Sequence, residues 1–300
     1  MSDILKKTRE ICQLLEIKPS RSKGQNFLIN EKIYNDIIAA AEIKKEDVVL
    51  EVGPGLGFLT AKLADEAKQV IAVELDDNLA NYLTMAVSSQ DVENVDIINQ
   101  DVLKFNLHQY FIDNKLDINR AYKIVANLPY NISSIFLRTF LSSGFKPKSV
   151  TLMLQKEVAE RIIATSPDNN LLALSVAFYG EAKIIREVKA GNFWPEPKVD
   201  SAVIHIETND AKSDLLKFLT EKGIKVAKEK NNHDLEKEFF RLLKVSFSAK
   251  RKMIKNNIVA GFKISASEAE KAINLASLKP KSRAEDLGLE DFKNLFAALY

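Results

Sequence analysis

DVVLEVGPGLGFLT, residues 47–60, sets the fold to be expected of this chain. Val48-Val49-Leu50 is a short apolar, β-branched run, as in a strand covered on both faces of a parallel sheet. It ends at Glu51-Val52, enters Gly53-Pro54-Gly55-Leu56-Gly57, and apolar residues then resume at helical spacing: Phe58, Leu59, Ala61, Leu63 and Ala64. Strand, glycine loop and helix together give a glycine-rich motif its meaning, because a turn without Cβ atoms lets a ligand lie against the backbone. A second strand, Val70–Val73, ends at Glu74, 21 residues after Gly53. An acid at about that spacing suits ribose hydroxyls. The stretch predicts a nucleoside-containing cofactor.

The loop alone leaves that cofactor open. A dinucleotide loop reads G-x-G-x-x-G, so that pyrophosphate sits on the helix N-terminus. This loop is the shorter G-x-G-x-G, and the carboxylate of Glu51 before it is a poor neighbour for pyrophosphate. A cationic ligand fits better, such as S-adenosylmethionine with its ammonium and sulfonium, while NAD stays in contention.

Outward from the loop, the pattern is alternating strands and helices. A helix is expected over Asp76–Val87 and a third strand over Val95–Ile98, running into Gln100-Asp101. Tyr122–Ala126 is the fourth strand and Ser149–Leu154 the fifth, followed by a helix over Gln155–Ala164. This is the order of a doubly wound sheet, which binds ligands at the carboxyl ends of its strands. Asp101 is placed to accept from an adenine amine. Upstream, Ile4–Leu15 and Glu31–Ala41 are helical, flanking the basic segment KPSRSKGQNFL at 18–28. Downstream, Leu172–Tyr179 and Ala182–Val188 read as strands around Gly180, and Val199–Ile206 as another. Polar residues 208–213 mark a boundary, beyond which Leu215–Tyr300 is helical throughout, with a lysine-rich loop over Lys222–Asn232.

Composition narrows the class. Charges are nearly balanced, 43 basic against 41 acidic, so any nucleic-acid footprint must be local. One cysteine, Cys12, permits no internal disulfide, and three scattered histidines offer no metal constellation; no metal is expected. No apolar run reaches the ~18 residues of a membrane span, and the N-terminal residues lack a signal-peptide core. A cytoplasmic protein without membrane contact is expected.

The segment Asn127-Leu128-Pro129-Tyr130, at the end of the fourth strand, suggests the chemistry. An aromatic amine such as adenine N6 is a poor nucleophile because its lone pair is delocalised into the ring. Two acceptors near its hydrogens draw the nitrogen toward pyramidal geometry; the Asn127 side-chain oxygen and the Leu128 carbonyl qualify. Pro129 fixes that carbonyl by restricting its own φ and the residue before it. Tyr130 offers a face on which a base can stack, worth ~1–3 kcal/mol. No strong general base is required, because the methylated ammonium is acidic. With this segment at a nucleoside-binding sheet, adenosylmethionine displaces NAD.

At this point the chain resembles the rRNA adenine N6-dimethyltransferases. The resemblance rests on GQNFL (24–28), VGPGLGFLT (52–60), Glu74, Asp101, NLPYNISS (127–134) and FWPEPKVDSAV (193–203). FSAKRKMIKNNI (247–258) and RAEDL (283–287) resemble the bacterial small-subunit branch. The resemblance implies an α/β Rossmann-like class I methyltransferase domain over 1–208, with a doubly wound, mostly parallel sheet of seven strands. A basic segment at 1–30 would precede the sheet, and a small all-α rRNA-binding domain would span 209–300. It implies S-adenosylmethionine contacts at Asn26, Leu28, Gly53, Gly55, Glu74, Asp101 and Asn127. Asn127, Leu128, Pro129 and Tyr130 would receive the target base, with Phe193 closing its other face. The implied substrate is a pair of adjacent adenosines in a hairpin loop near the 3′ end of 16S rRNA within the 30S particle, each methylated twice by a monomeric enzyme.

A target base must leave its stack to reach such a pocket, which a hairpin loop makes cheap. Phosphate contacts are expected from Lys250, Arg251, Lys252 and Lys255, a run with no acid from Val245 to Asn257, and from Arg21 and Lys23. The chain departs from the family's usual form in SRSKGQNFL, around LSV at 174–176 and at Trp194. Competing readings are the resistance methyltransferase of large-subunit rRNA and a non-catalytic ribosome-assembly protein. Intact Glu74, Asn127 and Tyr130 oppose the second, and the full helical tail opposes the first.

Overall fold

The computed structural model describes residues 3–17, 19, 25–118, 122–224, 232–249 and 251–299, with backbone alone at 232–234. Arg21, Lys23, Lys250 and most of the lysine-rich 222–232 loop lie outside these residues. The chain divides into two compact units: Met1–Glu160 with Ala182–Thr208, and Arg161–Glu181 with Asn209–Tyr300. Residues 161–181, read from the sequence as part of the first domain, thus fold with the second.

The first unit is built on a sheet of seven strands. In chain order these are β2 (Val48–Val52), β3 (Gln69–Glu74), β4 (Val95–Asn99), β5 (Lys123–Asn127), β6 (Ser149–Gln155), β7 (Gly180–Val188) and β9 (Ser201–Thr208). Two short strands, β1 (Phe27–Leu28) and β8 (Phe193–Trp194), pair antiparallel outside it. The large sheet runs β4-β3-β2-β5-β6-β9-β7. The pairs β3–β4, β2–β3, β2–β5 and β5–β6 are parallel, and β6–β9 is antiparallel. Every residue of β2 is buried, as a strand covered on both faces requires. Strand order reverses between β2 and β5, so the glycine loop after β2 and the Asn127 segment after β5 open into one crevice.

Helices α1 (Asp3–Leu14), α2 (Glu31–Ala41), α3 (Phe58–Glu66), α4 (Asp77–Ser89), α5 (Leu107–Asp113), α6 (Ser133–Leu141) and α7 (Lys156–Ile162) complete this unit up to a boundary within α7. α2 packs on β5, β6 and β9, whereas α3 packs on β3 and α4 on β3 and β4. The buried Lys123 at the start of β5 is fully matched. Its ammonium meets Asp47 at 3.0 Å and the Ala41 carbonyl at 3.1 Å, and also bonds the Glu42 carbonyl, closing the end of α2. A buried charge persists only when paired in this way.

The segment read as a strand at 172–179 is instead α8 (Leu171–Tyr179). Its apolar residues run continuously, so periodicity cannot separate a helix buried all round from a buried strand. Asn170 settles the matter: its side chain accepts from Leu172 N at 3.0 Å and Ala173 N at 3.1 Å, a helix N-cap. The strand expected over Val199–Ile206 lies two residues later, at β9.

The second unit adds α9 (Ala211–Glu221), α10 (Asn232–Ser246), α11 (Ile254–Phe262), α12 (Ala266–Leu275) and α13 (Leu289–Leu299) to α8. Its core is aromatic: Phe178 of α8 stacks on Phe239 of α10 with centroids 5.0 Å apart, and Phe239 meets Phe296 of α13 edge-on at 5.5 Å. α11 approaches α10 closely at Gly261, where an added Cβ would lie 2.4 Å from Val245 Cγ1 and 3.1 Å from Val245 Cβ. Rotating Val245 cannot clear its own Cβ. Gly261→Ala is therefore expected to lower the unfolding free energy by about 1–3 kcal/mol, read as a shift of the urea midpoint. Val245→Ala in the same chain should return part of that loss. A midpoint unmoved by Gly261→Ala would mean the helices separate freely.

Candidate functional site

Within the first unit, a cavity of about 560 Å³ opens at the carboxyl ends of β2, β3 and β5. Its volume falls within the range of small-molecule sites. Asn26, Leu28, Gly53, Gly55, Glu74, Asp101, Asn127, Leu128, Pro129 and Tyr130 all line it, so the structure brings these expected residues together.

The floor is the glycine loop. Gly55 has φ +61°, a left-handed conformation that a side chain would strain, and a Cβ there would press at 3.4 Å on the ring of Phe27. Gly57, with φ +81°, starts α3; a Cβ would reach within 2.6 Å of Leu83 in α4. Glu74 anchors this loop. One carboxylate oxygen accepts from Gly55 N at 3.1 Å and the other from Asp76 N at 2.9 Å. Burial pushes its pKa up, while the backbone N–H groups of Asp76, Gly55 and Leu75 pull back toward the ionised form. An ionised carboxylate has about four lone-pair positions, so acceptor capacity remains for a ligand hydroxyl beside these N–H groups.

Glu51 is the most strongly perturbed acid. It is 1 % exposed, and burial pushes its pKa up to about 8, opposed by the Thr60 hydroxyl and reinforced by the Glu74 charge. Its Oε2 is buried without a hydrogen-bond partner, as is Oδ1 of Asn26, another lining residue. Both atoms lie in residues that line the cavity, where a bound group can complete them. The Asp101 carboxylate accepts from Leu103 N at 3.0 Å, fixing its orientation while leaving its second oxygen for the cavity.

The segment after β5 forms the remaining wall. Asn127 pairs in register with Met153 of β6, and Leu128 N donates to Met153 O at 3.0 Å, so the backbone is held to the sheet as it leaves it. The Asn127 side chain makes no hydrogen bond among the described residues. Tyr130 follows in a short 3₁₀ turn, half-buried, with its hydroxyl 2.8 Å from Ser201 Oγ. Burial raises its pKa, offset in part by Ser201.

Phe193 departs from expectation. It does not line the cavity; at 3 % exposure it belongs to the hydrophobic core with Leu28, Tyr34 and Val203. Its position follows from β8, which pairs it with Leu28 of β1 and turns the ring inward. Phe27, before Leu28 in β1 and paired with Trp194, packs with Cys12 of α1, Leu56 and Leu79, so α1 helps hold the cavity's N-terminal wall. Sequence reading also missed Gln25, whose side chain bonds Asp76 across the cavity at 3.3 Å, and Leu75, 70 % exposed on the lining directly after Glu74. An exposed apolar residue at a strand's carboxyl end was the available signal for Leu75.

In the second unit, Arg251 and Lys252 are exposed. Lys255, expected with them to contact phosphate, is half-buried and ion-paired with Glu270 at 2.7 Å. Among the described residues, no group of three or more His, Cys, Asp or Glu side chains converges as a metal site would, and no helix is long and apolar enough to cross a membrane.

The chain matches the family model "Ribosomal RNA adenine dimethylase" over residues 17–299. It is 38% identical over 292 residues to the ribosomal RNA small subunit methyltransferase A of Dehalococcoides mccartyi (strain CBDB1), covering 97% of this chain and 92% of that protein. The protein of the same name from Clostridium acetobutylicum is 35% identical over 295 residues, covering 98% of each. Among solved structures, a dimethyladenosine transferase from Plasmodium falciparum superposes with a TM-score of 0.68 at 26% identity, covering 90% of this chain and 95% of that one.

Proposed function

This chain belongs to the ribosomal RNA adenine dimethylase family, and from that membership and the cavity we propose its reaction in full: transfer of methyl groups from S-adenosylmethionine to N6 of two adjacent adenosines. The chain is an rRNA methyltransferase with a Rossmann-like class I fold and a helical C-terminal part. The target in this proposal is a hairpin loop near the 3′ end of 16S rRNA within the 30S particle, in the cytoplasm, and the enzyme acts as a monomer. The observation that carries the reading is the unbonded Asn127 amide at the end of β5, on the wall of a cavity whose glycine floor and acids suit a nucleoside.

The residues present fit adenosylmethionine. Glu51 Oε2, buried and unpartnered, suits its ammonium; the spare acceptor positions of Glu74 suit ribose hydroxyls; Leu75 and the free oxygen of Asp101 suit adenine. When bound, the cofactor supplies an electrophilic methyl on sulfonium, and the sulfur keeps the bond pair when the methyl leaves. The chain contributes alignment. Asn127 Oδ1 and the Leu128 carbonyl accept hydrogen bonds from the N6 amine and localise the nitrogen lone pair. Pro129 holds that carbonyl, Tyr130 stacks on the ring, and the proton shed afterwards passes to solvent. Arg251 and Lys252 remain the phosphate-binding candidates, whereas Lys255 would first have to leave Glu270.

Glu51 gives the reading a pH signature. Its folded pKa of about 8 exceeds the 4.5 of an unperturbed carboxyl, so the folded state holds a proton that the unfolded state has lost between those values. The unliganded protein should therefore lose stability as pH rises from 4.5 to 8, by several kcal/mol in all, and Glu51→Gln should remove that slope. Ammonium binding needs the ionised form, so cofactor affinity should rise over the same window. Thermal unfolding and calorimetric titration across it check both slopes; a flat pair would remove Glu51 from the ammonium.

The direct test is label transfer from adenosylmethionine to undermethylated small ribosomal subunits, with large subunits in parallel, followed by nucleoside analysis. N6,N6-dimethyladenosine in the small subunit is expected. Label confined to the large subunit would move the chain to the resistance type, and cofactor binding without transfer to an assembly role.

A further inference from the structure

We propose that Ser201 is a positioning residue for methyl transfer, fixing the plane of the Tyr130 ring against the incoming base through the bond between the two hydroxyls. The inference rests on Tyr130 being the stacking platform. Ser201 is fully buried, with its Oγ 2.8 Å from the Tyr130 hydroxyl, 71 residues away in sequence. It is the first residue of β9, opposite Gln155 of β6. Asp200 before it is held on three sides: its carbonyl accepts from Lys156 N at 3.0 Å, and its carboxylate from Ala190 N at 3.0 Å and Lys189 Nζ at 2.8 Å. The serine hydroxyl is thus a fixed point.

Tyr130 is anchored less well on its own. It sits in a one-turn 3₁₀ segment, Tyr130–Ile132, none of whose residues is buried. With two rotatable side-chain bonds, such a ring swings unless its far end is held. Ala202, Val203 and Ile204 follow Ser201 in the core at 0 % exposure, so an alanine would pack at 201 as well as serine. What serine adds is the tether. A ring held at both ends presents one face to the substrate before it arrives, which spares the reaction the loss of ring freedom.

The test compares Ser201→Ala, Tyr130→Phe, their double variant and Tyr130→Ala in label transfer to undermethylated small subunits, with calorimetric titration of adenosylmethionine. Ser201→Ala and Tyr130→Phe should each lower kcat by up to about tenfold, the range of one neutral hydrogen bond. KM for the small subunit and cofactor affinity should stay in place. The double variant should be no slower than the slower single one, because both remove the same bond. Full kcat in Ser201→Ala, or losses that multiply in the double variant, would overturn the tether. Tyr130→Ala separates the two levels. If it is inactive while Ser201→Ala is unimpaired, only the tether fails; if it stays active, the stacking role falls and the tether with it.

Discussion

Asn127→Ala is expected to lower kcat for methyl transfer by roughly 10²–10³-fold, the cost of removing one preorganised electrostatic contact to a developing charge. The backbone at 127–128 is held by β6 through the Met153 pairing and the 3.0 Å bond from Leu128 N, so truncating the side chain leaves the wall in place. The loss should therefore fall on the chemical step. Single-turnover label transfer would measure it, and filter binding of small-subunit rRNA should show little change. Equal losses in both assays would mean that Asn127 holds the loop together rather than the amine.

Glu74→Ala should weaken adenosylmethionine binding by at least about a hundredfold, since two charge-assisted hydrogen bonds are lost at ~1.5–3 kcal/mol each. The same change strands the N–H groups of Gly55 and Asp76, which the carboxylate now accepts at 3.1 and 2.9 Å, so the glycine loop should loosen as well. Glu74→Gln distinguishes the two effects. Its amide keeps one acceptor oxygen for one of these N–H groups and turns a donor on the other, so the melting temperature should fall by less than in Glu74→Ala while affinity drops about tenfold. Calorimetric titration and thermal unfolding of both variants provide the measurement, and undiminished affinity in both would detach Glu74 from the ribose.

The parts of the site that were legible in the sequence are those encoded locally. The run Val48–Leu50 closed by glycines, the acids Glu74 and Asp101 at or just past the ends of β3 and β4, and Asn-Leu-Pro-Tyr after β5 each announce themselves within a few residues, and Gly53, Gly55, both acids and that tetrapeptide line one cavity. The features that escaped depend on distant partners. Burial of Phe193 follows from pairing with Leu28, and the Lys255 ion pair from a glutamate on α12. The Ser201–Tyr130 bond spans 71 residues, too far for any spacing rule to anticipate. α8 was misread for a different reason: its all-round apolar surface carries no period, and only its Asn170 cap distinguishes it.

The division of the chain has a consequence for inheritance. The backbone passes between the two units at 160/161, 181/182 and 208/209, so the helical unit is an insert in two pieces rather than a cassette. A gene rearrangement with one breakpoint at 208 would leave α8 behind, its Phe178 stripped of Phe239 and Phe240. Such a product would carry a largely apolar helix stripped of the aromatic partners that bury it, and is expected to aggregate. Exchange of the whole helical unit thus requires three simultaneous junctions rather than one.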